Sequence, residues 1–233
     1  MTAATTSSAL AADRSDELLL LGLVGQLELV AFDRLAADSA LAPSFDQRLR
    51  LARFSAGAVA RLERIFERIR ELGGSAQVEV ARFSNVMGDF DARTPSSTWS
   101  ERLVKAYVGY GVADDFCRAA AAGLDEVTCT LVMQVLDGTS HAALVVDALG
   151  AASADDDVLN SRLALWGRRL VGEALGVVQA LLQSQPGLAR LVSAADQVEA
   201  VPDGAEHPDA VGRLFNTLTA EHTHRMERLG LTA

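Results

Sequence analysis

Five prolines, Pro43, Pro95, Pro186, Pro202 and Pro208, constrain this chain more than any other feature. Each lies between segments of 3.6-residue apolar period and none lies inside one. A proline breaks the helix it enters, so the segments between prolines read as whole helices. Strand-like β-branched alternation is scarce. Six helices are expected, over about 16–39, 44–72, 97–122, 125–151, 156–183 and 208–229. Ser44, Ser97, Asp125 and Asp156 suit the N-cap, where a short side chain accepts from free backbone N–H groups, and Gly73 and Gly123 suit helix stops. Residues 74–95 read as an irregular connection, at most a short helix, anchored by Phe83, Met87 and Phe90. Residues 201–209, with two prolines, a glycine and three acids, read as a surface linker.

Residues 1–15 are rich in Ala, Thr and Ser and lack a basic stretch before an apolar one, so a disordered tail is expected and not a signal peptide. The remainder, 16–233, is expected to be one domain. With 49% hydrophobic residues the chain can fill a core and is not disordered. Cys117 and Cys129 are too few for a disulfide framework and read as small buried hydrophobes. The longest apolar run, 18–32, is too short for a bilayer span and contains Gln26 and Glu28. The net charge of −10 opposes general binding to nucleic acid or to anionic membranes. A cytoplasmic, soluble protein is the expectation.

The helices are not equivalent. The first, with Leu18 to Leu21, Leu23, Val24, Leu27, Leu29, Val30, Phe32 and Leu35, is apolar nearly all round, as a central buried helix must be. The second is two-faced, with Leu51, Phe54, Ala58, Leu62, Ile65, Ile69 and Leu72 inward. Its arginines Arg48, Arg53, Arg64, Arg68 and Arg70 are expected in solvent. The first two helices form a hairpin at Pro43, the third and fourth another at Gly123, and residues 73–96 cross between them. Two hairpins with one long crossover give an all-α, ferritin-like four-helix bundle plus additional C-terminal helices. Apolar surface on residues 142–149 and 177–182 exceeds what one bundle core needs, so a homodimer is expected.

Glu28 stands in the middle of the buried helix. A lone buried carboxylate is costly, so it is paired, protonated or metal-bound, unless it lies on a narrow polar stripe with Gln26 and Asp33. A di-iron bundle needs an acid from one helix of each hairpin and Glu-x-x-His from the other. Counting outward from the two turns, the positions facing Glu28 are Ala58 and Arg61, and in the second hairpin Tyr110, Gly138 and His141. Only Glu28 and His141 are usable ligands, with Asp114, Asp115 and Asp137 nearby. Arg61 falls at the height of Glu28, so it either pairs with that acid in place of a metal or snorkels to solvent. Tyr110 is a candidate donor to the same cluster. Glu221-His222-Thr223-His224 is the only literal Glu-x-x-His, and it reads as a helix end with His222 toward the core. Gly22-Leu23-Val24-Gly25 reads as close helix packing and not a phosphate loop. Trp99, Phe116, Met133 and Trp166 read as packing, and Glu173 as a second buried acid without a role.

Several segments carry a resemblance. They include Leu18 to Leu23, Gln26 to Phe32, Leu103 to Gly109, Ala113 to Phe116, Thr139 to Ala142, Leu163 to Ala174 and Leu218 to Met226. Together they resemble actinobacterial ferritin-like proteins related to the tRNA 2-methylthio-N6-isopentenyladenosine hydroxylases. The resemblance implies a di-iron bundle with oxygen-dependent tRNA-modifying activity. Its metal role falls on Glu28 and His141 and fails at Ala58, Arg61, Tyr110 and Gly138. Two expectations follow. One is a non-catalytic, dimeric binding or scaffold protein with a degraded metal site, no cofactor and no nucleic-acid partner. The other is a non-haem di-iron hydroxylase with tRNA as its partner.

Overall fold

The computed structural model describes residues 14–152, 156–196 and 209–233 in full, and the backbone alone at 2–13, 153, 197 and 198. The described residues form helices and connecting turns and contain no strand. The tail expected at 1–15 and the linker expected at 201–209 fall mostly outside the fully described residues.

Helices α1 (Thr2–Leu41) and α2 (Phe45–Glu71) make the first hairpin. Ser44 caps α2 by accepting from the Gln47 amide, and Gly73, at φ 81°, supplies the left-handed residue that ends it. The connection that follows holds two short helices, α3 (Ala76–Ala81) and α4 (Gly88–Arg93), and Phe83, Met87 and Phe90 are buried as anchors. Helix α3 lies against α1 so closely that a Cβ on Gly22 would come within 2.5 Å of the Glu79 carbonyl oxygen. One on Gly25 would come within 2.7 Å of Val80. The glycine pair is thus a packing notch, as expected.

The third expected helix is α5 (Trp99–Val104), a five-residue π segment (Lys105–Gly109) and α6 (Tyr110–Ala121), run end to end. Its cap is Thr98 and not Ser97: Thr98 accepts from the Glu101 amide and Glu101 reciprocates, a capping box. The π segment seats α4. Lys105 contacts the Thr94 carbonyl at 2.9 Å and Asp91 at 2.7 Å, and a Cβ at Gly109 would meet the Phe90 ring at 2.7 Å.

The fourth expected helix is divided into α7 (Glu126–Val135) and α8 (Thr139–Ser153) by residues 136–138. Asp137 Oδ1 accepts from both the Thr139 amide and its hydroxyl, so α8 starts afresh there. Residues Glu126–Ala152 have the length and mean hydropathy, 1.3, of a membrane-crossing stretch, but the break divides it. Helix α9 (Asp157–Ser184), capped by Asp156, packs its buried face along α5, the π segment and α6. Beyond it come α10 (Pro186–Val198), which the proline reading missed, and α11 (Ala210–Arg228). Pro186 occupies the first helical position, where its missing N–H is harmless.

The core runs between the hairpins. Leu20, Leu21, Val24, Leu51, Ile65 and Ile69 of the first are buried together with Val108, Phe116, Val132 and Val135 of the second. Two expectations about surface need correction. Ala142, Leu144, Val145, Leu149 and Val178 are buried within this chain, so the apolar surplus invoked for a dimer is largely internal. Met133 is exposed, and Cys129 is only partly covered while Cys117 is buried.

Candidate functional site

Glu28 projects from α1 into the bundle and is 4% exposed. Arg61 reaches it from α2, with Nε at 3.0 Å and Nη2 at 2.8 Å from the same oxygen, Oε2. The pairing branch of the sequence expectation is the one present. Burial pushes the Glu28 carboxyl up to about 7; Arg61 pulls it down and Asp114 adds to the rise. The carboxylate is therefore poised between its two charge states near neutrality.

The pair faces a cavity of about 240 Å³ whose wall also includes Arg34, Phe54, Tyr110, Asp114, Gly138 and His141. His141 meets the Phe54 ring edge to face at a centroid separation of 5.8 Å, and its Nε2 is buried without a hydrogen-bond partner. Burial, with Arg34 and Arg61 nearby, lowers the imidazole to about 3, so it is neutral at physiological pH. Asp114 makes no hydrogen bond or ion pair among the described residues, and its withdrawal from water lifts its carboxyl to about 6. Arg34 lies over the Tyr110 ring at 4.6 Å, and its Nε and Nη1 are buried without hydrogen-bond partners. Arg34 forms a long ion pair with Asp38, Nη1 to Oδ2 at 3.9 Å, while Arg102 holds the other oxygen, Oδ1, at 2.5 Å.

A second cavity of about 240 Å³ adjoins the first, and Asp114, Asp137, Gly138 and His141 belong to both walls. Asp137 and Gly138, in the interruption between α7 and α8, lie on the wall of both, and a Cβ on Gly138 would meet nothing within 4 Å.

Other candidates are placed differently. Tyr110 donates to Asp91 at 2.6 Å, on α4, and not to the Glu28 cluster. Ala58 is buried in packing and is absent from the cavity wall. Asp115 is held by Arg225 through two 2.6 Å contacts and by Arg118 at 2.9 Å. Asp137 is an exposed helix cap. Of the three acids near the site, only Asp114 faces the cavity unpaired. His222 is buried, whereas Glu221 and His224 are exposed. Glu173 is half-buried and pairs with Arg93 at 3.4 Å. Arg34 escaped the sequence reading, and Phe54 was read only as inward packing. The signal for Arg34 was present, since Leu27, Ala31 and Arg34 share one face of α1 at spacings of four and three.

A di-iron centre requires several anionic or imidazole ligands converging on one point. Among the described residues no group of three or more His, Cys, Asp or Glu side chains is arranged to hold a metal ion. The buried Oε2 of Glu28 already faces a guanidinium. These residues do not fit a di-iron centre. The family described as the ferritin-like domain of actinomycetes matches residues 13–195. No curated protein matches the chain.

Proposed function

The chain belongs to the actinomycete ferritin-like family, and from that premise we propose that it is a non-catalytic binding protein whose core ion pair stands in the place of metal ions. The observation that supports this is the Arg61 guanidinium on Glu28, 2.8 Å away and inside the cavity. A carboxylate withdrawn from water needs a counter-charge or a proton. Arg61 supplies a fixed cation from a neighbouring helix, so the bundle closes around its charged centre without recruiting a metal. The cavity is left with polar groups on its wall and space between them, which suits reversible binding.

Self-association is part of this reading, supported by the exposed Leu41 and Phe45 at the α1–α2 turn. Analytical ultracentrifugation should return a dimer.

Elemental analysis of purified protein, with an absorption spectrum from the near ultraviolet to the visible, tests the central claim. The expected result is sub-stoichiometric iron and no charge-transfer band. Stoichiometric iron would overturn it and favour the second reading, an oxygen-dependent hydroxylase acting on tRNA. One observation favours that alternative: Glu28, Asp114 and His141 line the same cavity.

A further inference from the structure

The cavity wall carries charges of both signs that do not meet. Glu28 and Arg61 satisfy one another. Asp114 and Arg34 line the same space and influence each other electrostatically, yet they form no ion pair. Asp114 has no hydrogen bond or ion pair among the described residues, and Arg34 has only a long 3.9 Å ion pair with Asp38 while its Nε and Nη1 make no hydrogen bond. Arg102 holds Asp38 through Oδ1, and Asp38 Oδ2 stands 3.9 Å from Arg34 Nη1, beyond hydrogen-bond reach.

An anion alone would satisfy Arg34 but face Asp114 and Glu28, and a cation alone would face Arg34 and Arg61. Only a ligand carrying both charges answers both. The space, about 240 Å³, corresponds to roughly eight water molecules at about 30 Å³ each. That is room for a free amino acid. Phe54 and the neutral imidazole of His141 give the remainder of the wall an aromatic surface.

We propose that this cavity binds a zwitterion the size of a free amino acid, its carboxylate on Arg34 and its ammonium on Asp114. The proposal rests on the metal-free reading of the Glu28–Arg61 pair, because a metal there would occupy the same space. Gly138 lies on the wall of both cavities, and a Cβ there would meet nothing within 4 Å.

Isothermal titration of the full chain with the standard L-amino acids at neutral pH tests it, alongside each amino acid's decarboxylated amine and N-acetylated form. At least one amino acid should bind, and removal of either charge should weaken binding about tenfold or more. Asp114→Asn, nearly isosteric, should remove the dependence on the ammonium. Gly138→Phe should weaken binding by filling space at the wall the two cavities share while leaving Tm unchanged, since the added side chain enters open space. No heat from any amino acid, equal binding of the bare amine, or undiminished binding by Asp114→Asn would each overturn the proposal. Iron is assayed on the same sample. A metal-free protein that ignores every amino acid overturns the ligand alone, whereas stoichiometric iron overturns the metal-free reading beneath it.

Discussion

Two arginine–glutamate pairs join α1 to α2, and they differ in what surrounds them. Arg61 holds Glu28 through one oxygen, beside a cavity. Arg68 holds Glu17 at 3.2 Å and also reaches Thr128 at 2.8 Å, Glu71 at 3.2 Å and Asp125 at 3.2 Å. Thr128 in turn donates to Glu17. The second cluster spans α1, α2 and α7, and its charges are surrounded by partners. The same two residue types thus serve as a knot in one place and as a lining in the other. An ion pair that exhausts its hydrogen-bonding capacity fixes helices, whereas one that leaves capacity spare keeps a site open to a ligand or a proton.

The sharpest way to break this comparison is to remove each arginine. Arg68→Met strands Glu17 in the interface and should lower unfolding free energy by about 3–5 kcal/mol in chemical denaturation. Next in size is the pH dependence of Glu28. Its carboxyl titrates at 4.5 when the chain is unfolded and at about 7 when folded. The folded state therefore holds the proton more tightly, so this group's contribution is full below pH 4.5 and declines as pH rises toward 7. His141, lowered from 6.5 to about 3, acts oppositely and withdraws stability as pH falls below 6.5. Subtracting wild type from Glu28→Gln isolates the carboxyl: the variant's relative stability should grow by about 3 kcal/mol between pH 4 and pH 8. Arg61→Met should have a smaller effect than Arg68→Met, about 1–2 kcal/mol at neutral pH, because Glu28 can take up a proton instead. Equal losses from the two arginine variants would erase the distinction. The smallest effect is expected from Thr128→Val, about 1 kcal/mol, as one hydroxyl leaves an otherwise intact knot.

The first hairpin was the readable half of the molecule. From the turn at Pro43 both helices keep a constant 3.6-residue period, so the height of Arg61 opposite Glu28 could be found by counting. Counting from the same turn pairs Arg68 with Glu17, but its place among other arginines on an outer face suggested solvent instead. Asp125, Thr128 and Glu17, which draw it inward, lie far away in sequence. In the second hairpin the counting rule fails. The position expected to face Glu28 is Tyr110, whose hydroxyl goes to Asp91, while the acid on the cavity wall is Asp114, one turn nearer the hairpin end. A π segment lies on one side of this stretch and a broken helix follows the turn, and neither announces itself in apolar periodicity. Helix α10 was legible in retrospect: Leu188, Leu191, Val192 and Ala195, all buried, recur at the spacing of one helix face.

The π segment amounts to a frameshift written in geometry. One extra residue accommodated within a turn rotates everything after it by about 100° relative to an uninterrupted helix. The face that α5 presents toward Trp166, which donates to the Glu101 carbonyl at 3.1 Å, is thereby uncoupled from the face that α6 presents toward the cavity. Deleting Val108 should therefore restore regular winding while the Thr98 cap, Tyr110 and Asp114 all keep their places, because the residue removed is the one that the wide turn takes up. The orientation of this side of the site is thus set by how one residue is wound as much as by residue type.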